Sequence, residues 1–236
     1  MRDPNDRLRD REPHAVGLDV YGMLVDPLEL QSHLQALVGD QADRFAKLWR
    51  EKQIEYSLRR GLMRAYAPFS VCTRQALHYV TLSLSVALGA EDQERLLEAY
   101  EHLLPFKDVT PGLDALKARG HTLVAFSNGD EATVRALMTH AGIDTYLDDV
   151  VSVDDLRTFK PDPEVYRYLA QRVGRPASAT WLVSSNPWDV IGAKAAGLRT
   201  AWVKREPDAV FDPWGIEPDL IVTNLTELAG LLTTPA

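Results

Sequence analysis

One apolar run of strand length, AVGLDV at residues 15–20, stands far ahead of all the others in this chain. Behind it comes a long stretch, from PLELQSHLQALVGD to RLLEAYEHLLPF, in which apolar residues recur at spacings of three and four. Phe45, Leu48 and Trp49 show the pattern, as do Leu77, Val80 and Leu84. That is the period of helices buried on one face. From residue 106 the character changes. HTLVAFSN, DVVSV, TWLVSSN, RTAWVK and LIVT are strand-length runs, and the helical patterns DEATVRALMTHAG, PEVYRYLAQRVG and NPWDVIGAKAAG separate most of them. Strands alternating with helices predict a parallel sheet joined by right-handed crossovers. The simplest architecture is an α/β core with a helical cap inserted after its first strand.

The composition supports a core of that size: 236 residues, 45% hydrophobic and 25% charged. A formal net charge of -8 provides no basic footprint for nucleic acid or for an anionic membrane. A small anionic substrate would then need local positive charge set against the global field. The single cysteine, Cys72, permits no intrachain disulfide and reads as a structural thiol. Residues 1–13 are highly charged and lack the apolar segment of a secretory signal, so they read as a flexible leader. No apolar run approaches membrane-spanning length. The expected location is the cytoplasm.

In open parallel sheets, ligands bind beyond the carboxyl ends of the strands, near the point where strand order reverses. That rule selects a short set of polar residues. Asp19 ends the first strand, Ser127 and Asn128 end LVAFSN, and Ser184, Ser185 and Asn186 end TWLVSSN. Lys160 precedes PDP, where Asp162 suits a helix cap and Pro163 a first helical turn. Ser127 and Asn128 suit turn and capping roles equally well, and Lys160 a solvated loop. Asp19 is harder to explain structurally, because an ionised carboxylate beside a buried strand is costly without a partner.

GLDVYGMLVD, FSNGD, FKPDPEVY and VSSNPWD, in that order, resemble the haloacid dehalogenase superfamily, and within it the L-2-haloacid dehalogenases of type II. The helical segment LWREKQIEYSLRRGLMRAYAPF is similar to that subfamily's cap. The resemblance spans about residues 15–232. It implies a Rossmann-like core, residues 14–27 and 106–233, with a cap at 28–105. It further implies hydrolysis of carbon–halogen bonds, a small halogenated carboxylate as substrate, halide as product and, commonly, a homodimer. Most members of the superfamily are magnesium-dependent phosphatases with a second aspartate two residues after the nucleophile. Tyr21 stands there in this chain, and the strand that usually leads into magnesium ligands ends in SSN. A hard cation wants several oxygen ligands, so neither a metal nor another cofactor is expected. A halide leaving group needs no proton, which makes loss of the general acid tolerable.

The resemblance also implies roles. Asp19 would attack C2 of the haloacid and form an ester, and Lys160 would hold it ionised and aimed. Arg50 and Asn128 would take the halide, with Phe69 and Trp188 as apolar walls. The substrate carboxylate would sit on Ser127 and on backbone N–H groups after Asp19, that of Val20 first. Tyr21 would line the pocket, and Ile54 would touch the alkyl group. Asn186 and Asp189 would position the water that hydrolyses the ester, with Ser184 and Tyr166 completing the network. One departure stands out: Met23 occupies a position where the family usually has threonine, four residues after the nucleophile. Methionine is only a weak hydrogen-bond acceptor, so Met23→Thr is expected to raise turnover or change substrate range. Two other readings stay open: a catalytically weakened scaffold that binds a small anion or protein, and a phosphatase.

Overall fold

The computed structural model describes residues 13–232, so almost all of the charged leader lies outside the described residues. Six strands form one sheet: β1 (Ala15–Asp19), β2 (Thr122–Ser127), β3 (Asp149–Ser152), β4 (Thr180–Ser184), β5 (Arg199–Val203) and β6 (Leu220–Val222). Their spatial order is β3-β2-β1-β4-β5-β6, and every pairing is parallel. All residues of β1 and β4 are buried. These central strands read as unbroken apolar runs because helices cover both faces. The covering helices are α5 (Val109–Ala118), α6 (Glu131–His140), α7 (Pro163–Arg172), α8 (Pro187–Ala195) and α9 (Leu225–Leu231). Asp162 caps α7 by accepting from the Glu164 N–H at 2.9 Å, with Pro163 in the first turn. The strand order reverses between β1 and β4, so their carboxyl ends frame the expected crevice.

The helical stretch between β1 and β2 contains α1 (Gln31–Val38), α2 (Ala42–Met63), α3 (Phe69–Ser83) and α4 (Ala90–Tyr100). Its two ends are stitched to each other. The Asp26 N–H donates to the Leu104 carbonyl at 3.1 Å, and the Phe106 N–H to the Leu24 carbonyl at 3.2 Å. Val25 and Pro105 form an antiparallel bridge between them. The buried stripe of α2 is Ala42, Phe45, Trp49, Gln53 and Ser57. Gln53 and Ser57 are polar, and buried polar groups require partners. Among the described residues, no helix is long and apolar enough to cross a membrane.

Candidate active site

Asp19 sits at the carboxyl end of β1, and both of its carboxylate oxygens are held. Lys160 Nζ donates to Oδ1 at 3.0 Å. Ser184 Oγ and Asn186 Nδ2 donate to Oδ2 at 2.8 and 2.7 Å, both from the end of β4. The turn after Asp19 is tight: the Val20 carbonyl accepts from the Met23, Leu24 and Val25 N–H groups. Gly22 adopts φ +85° there, a conformation that favours a residue without Cβ. The Gly22 carbonyl in turn accepts from Ser185 Oγ at 2.7 Å. The turn after Asp19 is thus fastened to the neighbouring strand.

Lys160 is 1% exposed, and its ammonium has three acceptors: Asp19, Asp189 Oδ2 at 2.9 Å and the Phe126 carbonyl at 3.0 Å. Burial opposes its charge, but the carboxylates of Asp189 and Asp19 outweigh that and hold its pKa above the ordinary lysine value. Asp189 is fully buried, and burial pushes its carboxyl up against the opposing pull of Lys160. Tyr166 donates to Asp189 Oδ1 at 2.7 Å. Burial, reinforced by the Asp189 charge, keeps that phenol protonated. Gly192 on α8 makes this approach possible, since a Cβ there would lie 2.7 Å from the Tyr166 hydroxyl. An ammonium therefore stands between two carboxylates. Among the described residues, no cluster of three or more His, Cys, Asp or Glu could hold a metal ion.

The opposite wall offers donors. Asn128 Oδ1 accepts from the Lys160 backbone N–H at 3.0 Å. The amide's Nδ2 is then its donating end. Ser127 Oγ accepts from the Gly129 N–H at 3.0 Å, which tightens the turn after β2. Arg50 on α2 donates to the Tyr21 carbonyl at 3.2 Å and to Gln53 Oε1 at 2.8 Å. Among the described residues it forms no ion pair. Tyr21 stacks on Tyr100 (5.1 Å between ring centroids) and lies beside Phe69 (6.1 Å). Burial holds the Tyr21 phenol well above its usual pKa, so it stays neutral. Cavities lie to either side. One of about 140 Å³ is lined by Tyr21, Phe69, Tyr100 and Gly129. Another of about 420 Å³ is lined by Gly22, Trp49, Arg50, Gln53, Asn186 and Arg205.

Asp19, Val20, Lys160, Asn186, Asp189, Ser184 and Tyr166 thus form one connected group. Arg50, Tyr21, Phe69, Ser127 and Asn128 stand around it. Trp188 and Ile54 are half-buried, and neither lines the two cavities. Met23 packs into the hydrophobic core, fully buried, while Asp19 has its partners without it. Sequence reasoning missed Gln53, Thr73 and Tyr100, which are buried and bonded behind Arg50. The signal for Gln53 was present: it lies four residues after Trp49 on the buried stripe of α2.

Comparison with known proteins agrees with this fold. The family model for haloacid dehalogenase-like hydrolases matches residues 14–197. An (S)-2-haloacid dehalogenase of Pseudomonas sp. (strain YL) is 36% identical over 222 residues, covering 94% of this chain and 95% of that protein. Haloacetate dehalogenase H-2 of Moraxella sp. (strain B) is 34% identical over 218 residues, covering 92% and 97%. The L-2-haloacid dehalogenase from Xanthobacter autotrophicus, solved with chloropropionic acid covalently bound, superposes with a TM-score of 0.85 at 30% identity, covering 94% of this chain and 98% of that one. This chain belongs to the haloacid dehalogenase-like hydrolase family.

Proposed function

We propose that this enzyme hydrolyses short L-2-haloacids to (R)-2-hydroxyacids through an ester on Asp19, without a metal ion. The observation that carries the reading is the Asp19 carboxylate at the β1/β4 crevice, held by Lys160, Ser184 and Asn186. In the first step a carboxylate oxygen attacks C2 from the side opposite the halogen. A C–O bond forms, the C–X bond breaks with its electron pair on the halide, and C2 inverts. An aspartate is ionised at neutral pH, so no base is required. Arg50 and the Asn128 Nδ2 group receive the halide's charge. The substrate carboxylate is read by Ser127 and by backbone N–H groups of the Asp19 and Asn128 turns.

In the second step water attacks the ester carbonyl carbon of Asp19. The hydroxyacid leaves with its own C2–O bond intact, and one water proton is released. Asn186 and Asp189 orient that water, and Ser184 and Tyr166 hold them. Lys160 keeps a positive charge beside the Asp19 and Asp189 carboxylates through both steps. Residues 28–105 act as a cap over the crevice, with Trp188 and Ile54 as further apolar contacts. The family resemblance supports a homodimer, and the cytoplasm remains the proposed location.

The test is chloride release from L- and D-2-chloropropionate after EDTA treatment, with Asp19→Asn alongside. Chloride from the L substrate alone, and none from the variant, is expected. Phosphate release from a phosphate ester in Mg²⁺, with no halide from any haloacid, would overturn the proposal in favour of a phosphatase. Neither product would favour a binding scaffold.

A further inference from the structure

Gln53 is a polar residue in the middle of α2, 1% exposed, on a buried stripe it shares with Ala42, Phe45, Trp49 and Ser57. A buried amide is costly unless its hydrogen bonds are made. Here the bonds also fix which way it faces. The Thr73 hydroxyl donates to the Phe69 carbonyl at 3.0 Å, so that oxygen can only accept from Gln53. Gln53 Nε2 meets it at 2.6 Å. The amide oxygen therefore points the other way, where it accepts from Arg50 Nη1 at 2.8 Å and from the Tyr100 hydroxyl at 3.0 Å. Burial keeps the Tyr100 phenol protonated and able to donate. The chain of donors and acceptors runs from α3 through α2 to α4 and ends on the guanidinium. Tyr100 is fixed further by its ring contacts with Tyr21 and Trp49, and Trp49 Nε1 donates to the Thr73 carbonyl at 2.9 Å.

The chemistry of the acceptor matters as much as its place. Among the described residues, Arg50 meets only neutral oxygens: those of Gln53, Tyr100 and the Tyr21 carbonyl. A glutamate at position 53 could accept the bonds from Arg50 and Tyr100, and more strongly, but it could not donate to Thr73, and its charge would cancel the one that an anion needs. In a water-poor interior that cancellation is felt strongly. We propose that Gln53 is a positioning residue for Arg50, a neutral amide that aims the guanidinium while leaving its full positive charge available to the departing halide. The inference rests on the haloacid reading above for Arg50's role.

The test separates charge from packing and leaving-group departure from ester hydrolysis. Gln53→Glu and the near-isosteric Gln53→Met are compared with wild type in three measurements: bromide affinity by calorimetry, single-turnover halide release from 2-bromopropionate, and ester hydrolysis. Gln53→Glu is expected to weaken bromide binding and slow halide release by about tenfold or more, the loss typical of one charged hydrogen bond. Gln53→Met should do the same to a smaller degree, and ester hydrolysis should be unchanged in both. In an Arg50→Lys background either change should have less than about a twofold further effect, because residues that act through one group are not additive. The proposal is overturned if both steps slow equally, if the effects multiply in that background, or if bromide affinity is the same in all variants. Absence of halide release from wild type would overturn the haloacid reading instead. The bromide titration, which needs no turnover, would still decide the role of Gln53.

Discussion

Replacing Lys160 by methionine removes one charge and leaves two others facing each other. The ammonium is buried, and each of its three N–H bonds has an acceptor: Asp19, Asp189 and the Phe126 carbonyl. Breaking a buried ion pair by deleting one partner costs about 3–5 kcal/mol. In the variant, like charges a few ångströms apart repel by about 3 kcal/mol at an effective dielectric near 20, which corresponds to roughly 2 pKa units. The Asp19/Asp189 pair then takes up a proton well above the ordinary aspartate range. The folded variant binds more protons than its unfolded chain, so its stability falls as pH rises. Its deficit relative to wild type is therefore largest at pH 8 and shrinks as pH falls below the raised pKa of the pair, by up to about 2.7 kcal/mol once the ordinary aspartate value of about 3.9 is reached. In wild type Lys160 pulls the Asp189 pKa down against burial and so restrains that trend. The Lys160 pKa is itself raised, so the lysine's contribution is complete below about pH 10.4 and is lost only as pH climbs through the folded value. Urea unfolding of both proteins between pH 4 and 8 is the assay. A deficit below about 1 kcal/mol, or one constant across that range, would refute the reasoning.

Two further perturbations follow from buried groups. Met23→Thr places a hydroxyl and a smaller side chain in the core, and should cost about 1–3 kcal/mol with no gain in halide release; a faster variant of undiminished stability would show that the hydroxyl serves Asp19 instead. His121 Nδ1 accepts from the His14 N–H at 2.9 Å, so Nε2 carries the proton and donates to the Leu232 carbonyl at 2.8 Å. Burial lowers its pKa, and a second proton would face the His14 donor. The unfolded chain therefore binds that proton more readily, and stability is complete above about pH 6.5 and declines as pH falls below it. His121→Gln, which can make both bonds without titrating, should flatten that decline in urea midpoints, and an unchanged slope would assign the effect elsewhere.

The sheet was legible in the sequence because its strands are short, nearly continuous apolar runs separated by helical patterns. All six runs became strands, and α6, α7 and α8 lie within the helical patterns that separated them. The rule that sites lie at strand ends brought Asp19, Lys160, Ser184 and Asn186 together, although they come from opposite ends of the chain. The support behind Arg50 was not legible in the same way. Gln53 and Thr73 lie on different helices, and nothing in either local pattern says that they face each other. Tyr100, at the last turn of α4, reads as an ordinary helix terminus. Its contact with Gln53, 47 residues away, exists only once three helices have packed. Met23 shows the converse: judged by its neighbours in sequence it looked like a disturbed site position, yet the fold uses it as core.

The stitched base of the helical insertion bears on how the chain assembles. β1 and β2 pair from Ala15↔Thr122 onward, so two adjacent central strands are more than a hundred residues apart along the chain. Closing so long a loop is entropically unfavourable, by an amount that falls by about 0.6 kcal/mol with each halving of its length. Once Leu24, Asp26, Leu104 and Phe106 have zipped, about eighty residues drop out of that loop, two halvings or roughly 1.2 kcal/mol. The helices then act as a folding clamp, delivering the two strands side by side. An insertion entered and left at a single point can also be lengthened or exchanged without changing the register of the sheet beneath it.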